Sequence, residues 1–187
     1  MRLFLAINLP PDVRAALAVA TTPLRDIAPD LSWVAEDRLH LTLKFLGEQA
    51  PERAAEVGEA VAAVATRHRA FAADLGGVGA FPNFRRAHVV WIGVAHEARL
   101  ELLHHDVELA CERLGFEIEG KTFRPHLTLA RVKRHVDEDT LRALARAAKT
   151  IDYHHTFSVE SVDLMQSDLS SAPARYTTLA AVPLRTS

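Results

Sequence analysis

Two short copies of one polar pattern are the residues of this sequence best suited to chemistry. His40-Leu41-Thr42-Leu43 recurs 86 residues later as His126-Leu127-Thr128-Leu129. Side chains two residues apart share a face of a β-strand, so each copy directs a His and a Thr to one side and two leucines to the other. An imidazole can give or take a proton near neutral pH, and a Thr hydroxyl can donate a hydrogen bond to an anion.

Two such strands facing each other would surround a small anion with two imidazoles and two hydroxyls. In-line displacement at phosphorus needs this set, because one histidine can take a proton from the nucleophile while the other protonates the leaving oxygen. A single copy of the pattern is more often a packing feature. A duplication that kept only structural residues, however, would not need the polar pair twice. The repeat therefore predicts a site built from His40, Thr42, His126 and Thr128.

The hydrophobic patterns around the motifs alternate between strands and helices, which indicates α+β or α/β layers rather than a sandwich or a bundle. Strands are expected at 2–8, 40–46, 88–94, 123–132, 157–164 and 176–182, with a short apolar stretch at 31–34 and a strand and turn at 71–81. Helices are expected at 12–22, 51–69, 98–114 (ended by Gly115) and 137–149.

Composition and charge exclude several classes of protein. The 187 residues are 49% hydrophobic and 25% charged, which is typical of a globular chain. With 22 Lys+Arg against 24 Asp+Glu, no strong positive field favours indiscriminate duplex binding. Cys111 is the single cysteine, which excludes an internal disulfide, and we expect it to be a buried helix residue without a catalytic role. We find neither a signal-peptide pattern nor a membrane-span pattern, so we expect a cytoplasmic protein with no membrane association.

Several segments carry a resemblance to a known family. The sequence is similar to the 2H phosphoesterase superfamily, and specifically to its RNA 2',3'-cyclic phosphodiesterases, which are also called 2'-5' RNA ligases. The segments that carry the resemblance are the opening strand at 2–7, Trp33, the first signature at 40–48, Phe81-Pro82 with 90–94, the second signature at 123–131, and Tyr176 at the start of the final strand.

The resemblance implies an α+β bilobal fold for the chain. Two pseudo-symmetric halves with antiparallel sheets would line a central cleft, and the helices would lie outside. We expect residues 1–187 to form one such domain, with two intertwined lobes that each supply one His-x-Thr-x motif. The resemblance implies no metal and no other cofactor. It implies an RNA or oligonucleotide with a 2',3'-cyclic phosphate end as the partner, and we expect a monomer without an obligate protein partner.

The resemblance also implies a reaction and roles for individual residues. Water would open the cyclic phosphate to leave a 2'-phosphate, with His40 as proton donor to the 3'-oxygen and His126 as the base. The identical motifs do not distinguish these two roles. Phe45 would stack on a base and Arg131 would neutralise phosphate charge. Strand alternation places both residues opposite the motif histidines unless a bend or bulge follows, so a core Phe45 and a surface ion pair of Arg131 stay open.

Other features allow more than one interpretation. Lys44 shares strand parity with His40 and could reach the phosphate or the solvent. The basic segment 131–135 could guide an RNA strand or form a solvated entry to the next helix. The pairs His104-His105 and His154-His155 lack the spacing of a zinc site.

Two alternative functions are reversible 2'-5' RNA ligation and a non-catalytic module that binds RNA ends or nucleotides. The histidine pair argues against the binding module, because Arg or Lys would hold an anion better.

Overall fold

A computed structural model describes residues 1–133, 136–168 and 175–186 of the chain. Two short 3₁₀ turns at Glu36–Arg38 and Phe84–Arg86 accompany the main elements. In chain order these elements are β1 (Arg2–Asn8), α1 (Pro11–Ala20), α2 (Thr22–Ile27), β2 (Ser32–Trp33), β3 (His40–Glu48), α3 (Arg53–Ala65), β4 (Phe71–Phe81), β5 (Val89–Val94), α4 (Ala98–Arg113), β6 (His126–Arg131), α5 (Glu138–Ala148), β7 (His154–Val159), β8 (Ser161–Asp168) and β9 (Arg175–Pro183).

The strands form one antiparallel sheet in the order β7-β4-β5-β6-β3-β1-β8-β9, with β2 paired to β6. The two motif strands, β3 and β6, meet at its centre through Leu41 and Leu127. Three further strands continue outward from each motif strand, β1-β8-β9 on one side and β5-β4-β7 on the other. This arrangement confirms the predicted α+β fold with two pseudo-symmetric halves, and it joins their sheets at the centre.

The leucines of both motifs lie in one hydrophobic core between the sheet and the helices. Leu41 and Leu127 are fully buried there, as the strand alternation predicts. The helices exchange sides: α4 follows β5 of one half but packs on β3 of the other half, next to α3. In turn, α2 follows β1 of the other half but packs on α5, which lies on β4. The face of the motif strands opposite the helices carries the polar motif residues.

Three predicted strands differ from the structure. The strand expected at 123–132 is shorter, since β6 begins only at His126 and ends at Arg131. The segment predicted as one strand at 157–164 is divided at Glu160 into β7 and β8, which pair with β4 and β1 in opposite halves. Apolar residues continue on both sides of Glu160, so the sequence pattern did not reveal that the chain passes here from one half of the sheet to the other. The strand and turn expected at 71–81 is one strand, because Gly77, at φ +74°, is accommodated as a bulge in the pairing of β4 with β5.

The helix predictions hold with small changes of length. The helix expected at 51–69 is shorter, and the one expected at 12–22 is followed directly by a second helix. Gly115, at φ +87°, follows the end of α4, and Asp137 caps the start of α5 by accepting from the Thr140 amide. Cys111 is buried on α4 as predicted, and burial raises the pKa of its thiol to about 11. None of the helices in the described ranges is long and apolar enough to span a bilayer.

Candidate active site

The structure brings the four predicted motif residues together on neighbouring strands. The pairing of Leu41 with Leu127 sets the antiparallel register. It places His40 across from Thr128, and Thr42 across from His126. All four side chains are half-buried. In a regular antiparallel pair, residues on the diagonal lie about 7–8 Å apart, so the two imidazoles flank a space of the size of a phosphate group.

Both histidines are held by the same backbone device. The Nδ1 atom of His40 donates to the carbonyl of Arg38, and that of His126 donates to the carbonyl of Arg124, each at 2.7 Å. A carbonyl can only accept, so Nδ1 carries the hydrogen in the neutral ring. Nε2 is therefore the atom that gains or loses a proton in each imidazole.

A β-bulge follows the first motif. The pairing of β3 with β1 skips Leu43, so the alternation of side chains shifts by one residue. Lys44 consequently points into the core, and Phe45 returns to the face of the motif histidine. Phe45 is 61% exposed, and its ring lies 6.2 Å from the ring of Phe4 on β1.

The second motif is followed by a bulge at the corresponding position. The pairing of β6 with β5 skips Leu129. Ala130 is buried, and Arg131 is exposed on the motif face. Strand alternation alone would place Phe45 and Arg131 opposite the motif histidines. The two bulges reverse this, and both residues border the same face as the histidines.

Lys44 reaches neither the predicted phosphate site nor the solvent, so both interpretations of this residue are wrong. The bulge turns it inward, where its Nζ atom donates to the two carboxylate oxygens of Glu108 on α4 at 2.7 and 2.9 Å. Nζ also donates to the carbonyl of Glu117 at 2.8 Å, and Glu108 accepts from the amide of Glu119 at 3.2 Å. This buried pair fastens β3 to the segment that leads into β6.

His40 lies against an aromatic surface that the sequence alone did not reveal. Its ring centroid is 5.0 Å from that of the buried Phe4 and 5.4 Å from that of Tyr176, which meets it edge-on. Burial lowers the pKa of His40, the hydrogen bond to the Arg38 carbonyl raises it, and the positive charge of Arg131 lowers it further. A residue that follows the second motif on β6 thus acts on the histidine of the first.

His126 has a different aromatic neighbourhood. Phe81 on β4 meets it edge-on at 4.9 Å between ring centroids, and Trp91 on β5 lies at 6.3 Å. Both rings are half-buried, and neither belongs to the hydrophobic core. Phe81 and Trp91 lie in segments that resemble the family, but the resemblance assigned neither residue a chemical role. The available signal in the sequence was that Phe81 ends a Gly-rich strand and that Trp91 lies within an apolar strand.

The remaining candidates are placed as follows. In the basic segment, Arg131 and Lys133 are exposed, while Arg134 and His135 lie outside the described residues. His104 stacks on Phe123 at 3.7 Å between ring centroids. Across the described ranges, no three His, Cys, Asp or Glu side chains are grouped as a metal site would require. The independence of the reaction from metal stays a prediction.

Comparison with curated proteins finds relatives along most of the chain. An RNA 2',3'-cyclic phosphodiesterase of Geobacillus stearothermophilus is 35% identical over 97% of this chain and 56% of that protein. The chain thus spans about half the length of this relative. A protein of the same name from Aeropyrum pernix is 37% identical over 78% of this chain and 82% of its own length.

Solved structures and a family model agree with these relatives. A crystal structure of a protein from Thermus thermophilus matches with a TM-score of 0.82 at 32% identity, covering 100% of this chain and 99% of that one. Escherichia coli LigT complexed with 3'-AMP matches with a TM-score of 0.73 at 27% identity, covering 98% and 97%. The family model described as the 2'-5' RNA ligase superfamily matches residues 10–170. The resemblance to 2H phosphoesterases is confirmed, and the chain belongs to the 2'-5' RNA ligase superfamily.

Proposed function

We propose that this protein hydrolyses RNA 2',3'-cyclic phosphate ends to 2'-phosphates. The observation that carries the proposal is the pair of His-x-Thr motifs on adjacent strands, each histidine held through Nδ1 so that Nε2 exchanges the proton. The names of the relatives support the same reaction. The proposed partner is therefore an RNA or oligonucleotide end, bound by a monomeric cytoplasmic protein.

The proposed reaction is an in-line displacement at phosphorus. Nε2 of His126 takes a proton from water, whose oxygen bonds to phosphorus as the bond to the 3'-oxygen breaks. Nε2 of His40 gives its proton to that leaving oxygen. The hydroxyls of Thr42 and Thr128 donate to the non-bridging phosphate oxygens. Because the register sets each Thr across from the histidine of the other motif, each imidazole works beside a hydroxyl from the opposite lobe.

The environment of His40 sets a condition on its role as donor. Burial and the charge of Arg131 lower its pKa, so the free protein favours the neutral ring. A donor must be protonated. His40 therefore gains its proton together with the phosphate, whose negative charge offsets that of Arg131 and favours the imidazolium.

The flanking residues complete the proposed substrate site between two intertwined lobes. Phe45, exposed beside Phe4, offers a ring on which the terminal base stacks. Arg131 offers a guanidinium that neutralises phosphate charge. The exchange of helices between the halves supports the assignment of one domain with two lobes, each of which contributes one motif.

The test is a product analysis. A dinucleotide with a 2',3'-cyclic phosphate end is incubated with the protein in EDTA, and the position of the phosphate in the product is determined. We expect a 2'-phosphate, with activity unaffected by exhaustive chelation. A 3'-phosphate would contradict the assignment of the leaving oxygen. Binding without turnover would favour the non-catalytic module, and activity that is lost in EDTA and restored by zinc or magnesium would contradict a metal-independent site.

A further inference from the structure

We infer that Phe81 and Trp91 form a base-stacking subsite for a second nucleoside, whose 5'-hydroxyl replaces water as the nucleophile. The inference rests on the proposed function, since it uses the same phosphate site. It assigns this chain a binding site for a nucleic-acid acceptor on the side of His126, separate from the ring of Phe45.

The two rings lie beside the second motif, on the sheet face that carries the motif histidines. Trp91 pairs with Thr128 in the sheet, and side chains of paired residues share a face. The ring centroids of Phe81 and Trp91 are 5.1 Å apart, and both rings contact the imidazole of His126. Because neither ring packs into the core, their surfaces border the space in which the nucleophile must arrive.

Contact with β4 fixes the orientation of the Trp91 indole. A methyl group at Gly79 would overlap the ring of Trp91, so the ring lies flat across the backbone of β4. Its Nε1 atom is buried without a hydrogen-bond partner among the described residues, which is an unfavourable and uncommon state. The other tryptophan, Trp33, follows the ordinary rule and donates to the carbonyl of Ala28 at 2.8 Å. The contact with Gly79 thus fixes the orientation of the half-buried indole, and its N–H is left unpaired among the described residues.

The direction of the reaction determines which nucleoside this surface meets. In-line displacement brings the nucleophile from the side of phosphorus opposite the leaving oxygen. With His40 at the 3'-oxygen, the terminal ribose and its base lie toward Phe45. The nucleophile then enters beside His126, where Phe81 and Trp91 lie. Water has no base to stack, whereas a nucleoside does.

The ligation step balances without another reactant. The 5'-hydroxyl of the acceptor gives its proton to Nε2 of His126, and its oxygen bonds to phosphorus. The bond from phosphorus to the 3'-oxygen breaks, and that oxygen takes a proton from His40. The product contains a 2'-5' phosphodiester and a free 3'-hydroxyl, and cleavage of such a linkage is the same step in reverse.

A fluorescence titration tests the subsite without any turnover. The sequence contains two tryptophans, so Trp33→Phe leaves Trp91 as the only one. In this background, His40→Ala prevents cleavage, and the protein is titrated with 2'-5'-linked diadenosine monophosphate or with adenosine 2'-monophosphate. We expect saturable quenching by the dinucleotide and clearly smaller quenching by the mononucleotide. Equal quenching by the two compounds, or none by the dinucleotide, would overturn the inference.

Calorimetry on further variants gives a second readout. In the His40→Ala background, Trp91→Leu should reduce the preference for the dinucleotide over the mononucleotide by about five-fold or more, the usual effect of losing one base stack. Trp91→Phe keeps an aromatic face and should retain most of the preference. An unchanged preference in Trp91→Leu would contradict the subsite. The proposed function is tested by a different experiment: it is contradicted if the unmodified protein does not hydrolyse a cyclic phosphate end.

Discussion

The two copies of the motif are identical in sequence, but they lie in different surroundings. Both have a histidine fixed through Nδ1 by a carbonyl two residues earlier, and both are followed by a bulge one residue after the threonine. After the bulge the copies diverge: the first has Lys44 and Phe45 where the second has Ala130 and Arg131. The parts that we propose hold and protonate a phosphate are thus repeated, and the parts proposed to meet the rest of the substrate are not.

The different surroundings give the two motif histidines different chemical properties, although their motifs are identical. Burial lowers the pKa of His40, and the charge of Arg131, which follows the second motif on β6, lowers it further. At the matching position of the first motif stands Phe45, which has no charge to exert on His126. The aromatic neighbours also differ, with Phe4 and Tyr176 on one side and Phe81 and Trp91 on the other. An enzyme that needs one acid and one base can obtain both from one repeated motif in this way.

Removal of either histidine should have the largest effect and should show that both copies are needed. His40→Ala and His126→Ala should each lower turnover by roughly 10²–10⁴-fold, because each removes a proton-transfer group. Turnover of a cyclic-phosphate dinucleotide by the purified variants checks this expectation, with circular dichroism to verify the fold. His105→Ala, an exposed position on α4, is the control. Near-normal turnover in either motif variant would defeat the two-histidine mechanism.

Lys44 and Ala130 occupy the same position after the two bulges, but only Lys44 carries a charge. A stability measurement tests what the buried ion pair of Lys44 contributes. Lys44→Met should lower the free energy of unfolding by about 3–5 kcal/mol, because it leaves the buried carboxylate of Glu108 without its partner. The double variant Lys44→Met/Glu108→Leu should recover much of that loss. Urea unfolding measures both.

A control for this measurement is the exposed Arg142, which forms ion pairs with Glu138 and Asp139. Arg142→Met should cost less than about 1 kcal/mol, since an exposed ion pair contributes little. A cost of that small size for Lys44→Met would mean that Glu108 tolerates burial without the ammonium group.

Phe45 and Arg131 occupy matching positions, but their removal should produce different kinetic signatures. Phe45→Ala should raise KM by about five-fold or more through loss of a base stack. Arg131→Met also removes a positive charge that disfavours imidazolium, so it should raise the pKa of His40. The limb of the pH profile that depends on His40 should therefore move to higher pH in Arg131→Met and stay in place in Phe45→Ala. Lys133→Met, an exposed cation on the same segment, is the control.

The sequence predicted the grouping of the four motif residues better than it predicted their surroundings. The repeated tetrapeptide located both histidines and both threonines, because strand alternation is a local property. The bulges at Leu43 and Leu129 were not predictable, since a bulge depends on the register with the neighbouring strand. The inward turn of Lys44 toward Glu108, 64 residues away, follows from that bulge.

The division at Glu160 and the aromatic neighbours of the histidines have a similar cause. Phe4 and Phe81 reach their imidazoles from other strands of the sheet, so their contacts depend on strand order. A single sequence does not contain strand order in any local pattern. The resemblance to a family supplied the overall fold, but it assigned no role to these rings.

The pH dependence of kcat/KM in the intact protein and in the two histidine variants tests the central claim most directly. We expect a bell-shaped profile for the intact protein, whose two apparent values belong to the coupled pair. In His126→Ala the residual rate should fall as pH rises, with a midpoint below the ordinary imidazole value of 6.5, because only His40 must then be protonated. In His40→Ala the residual rate should rise with pH. Exchanged slopes would reverse the two roles, and an intact-protein profile that is flat from about pH 5 to 9, with chemistry limiting the rate, would contradict paired histidine catalysis.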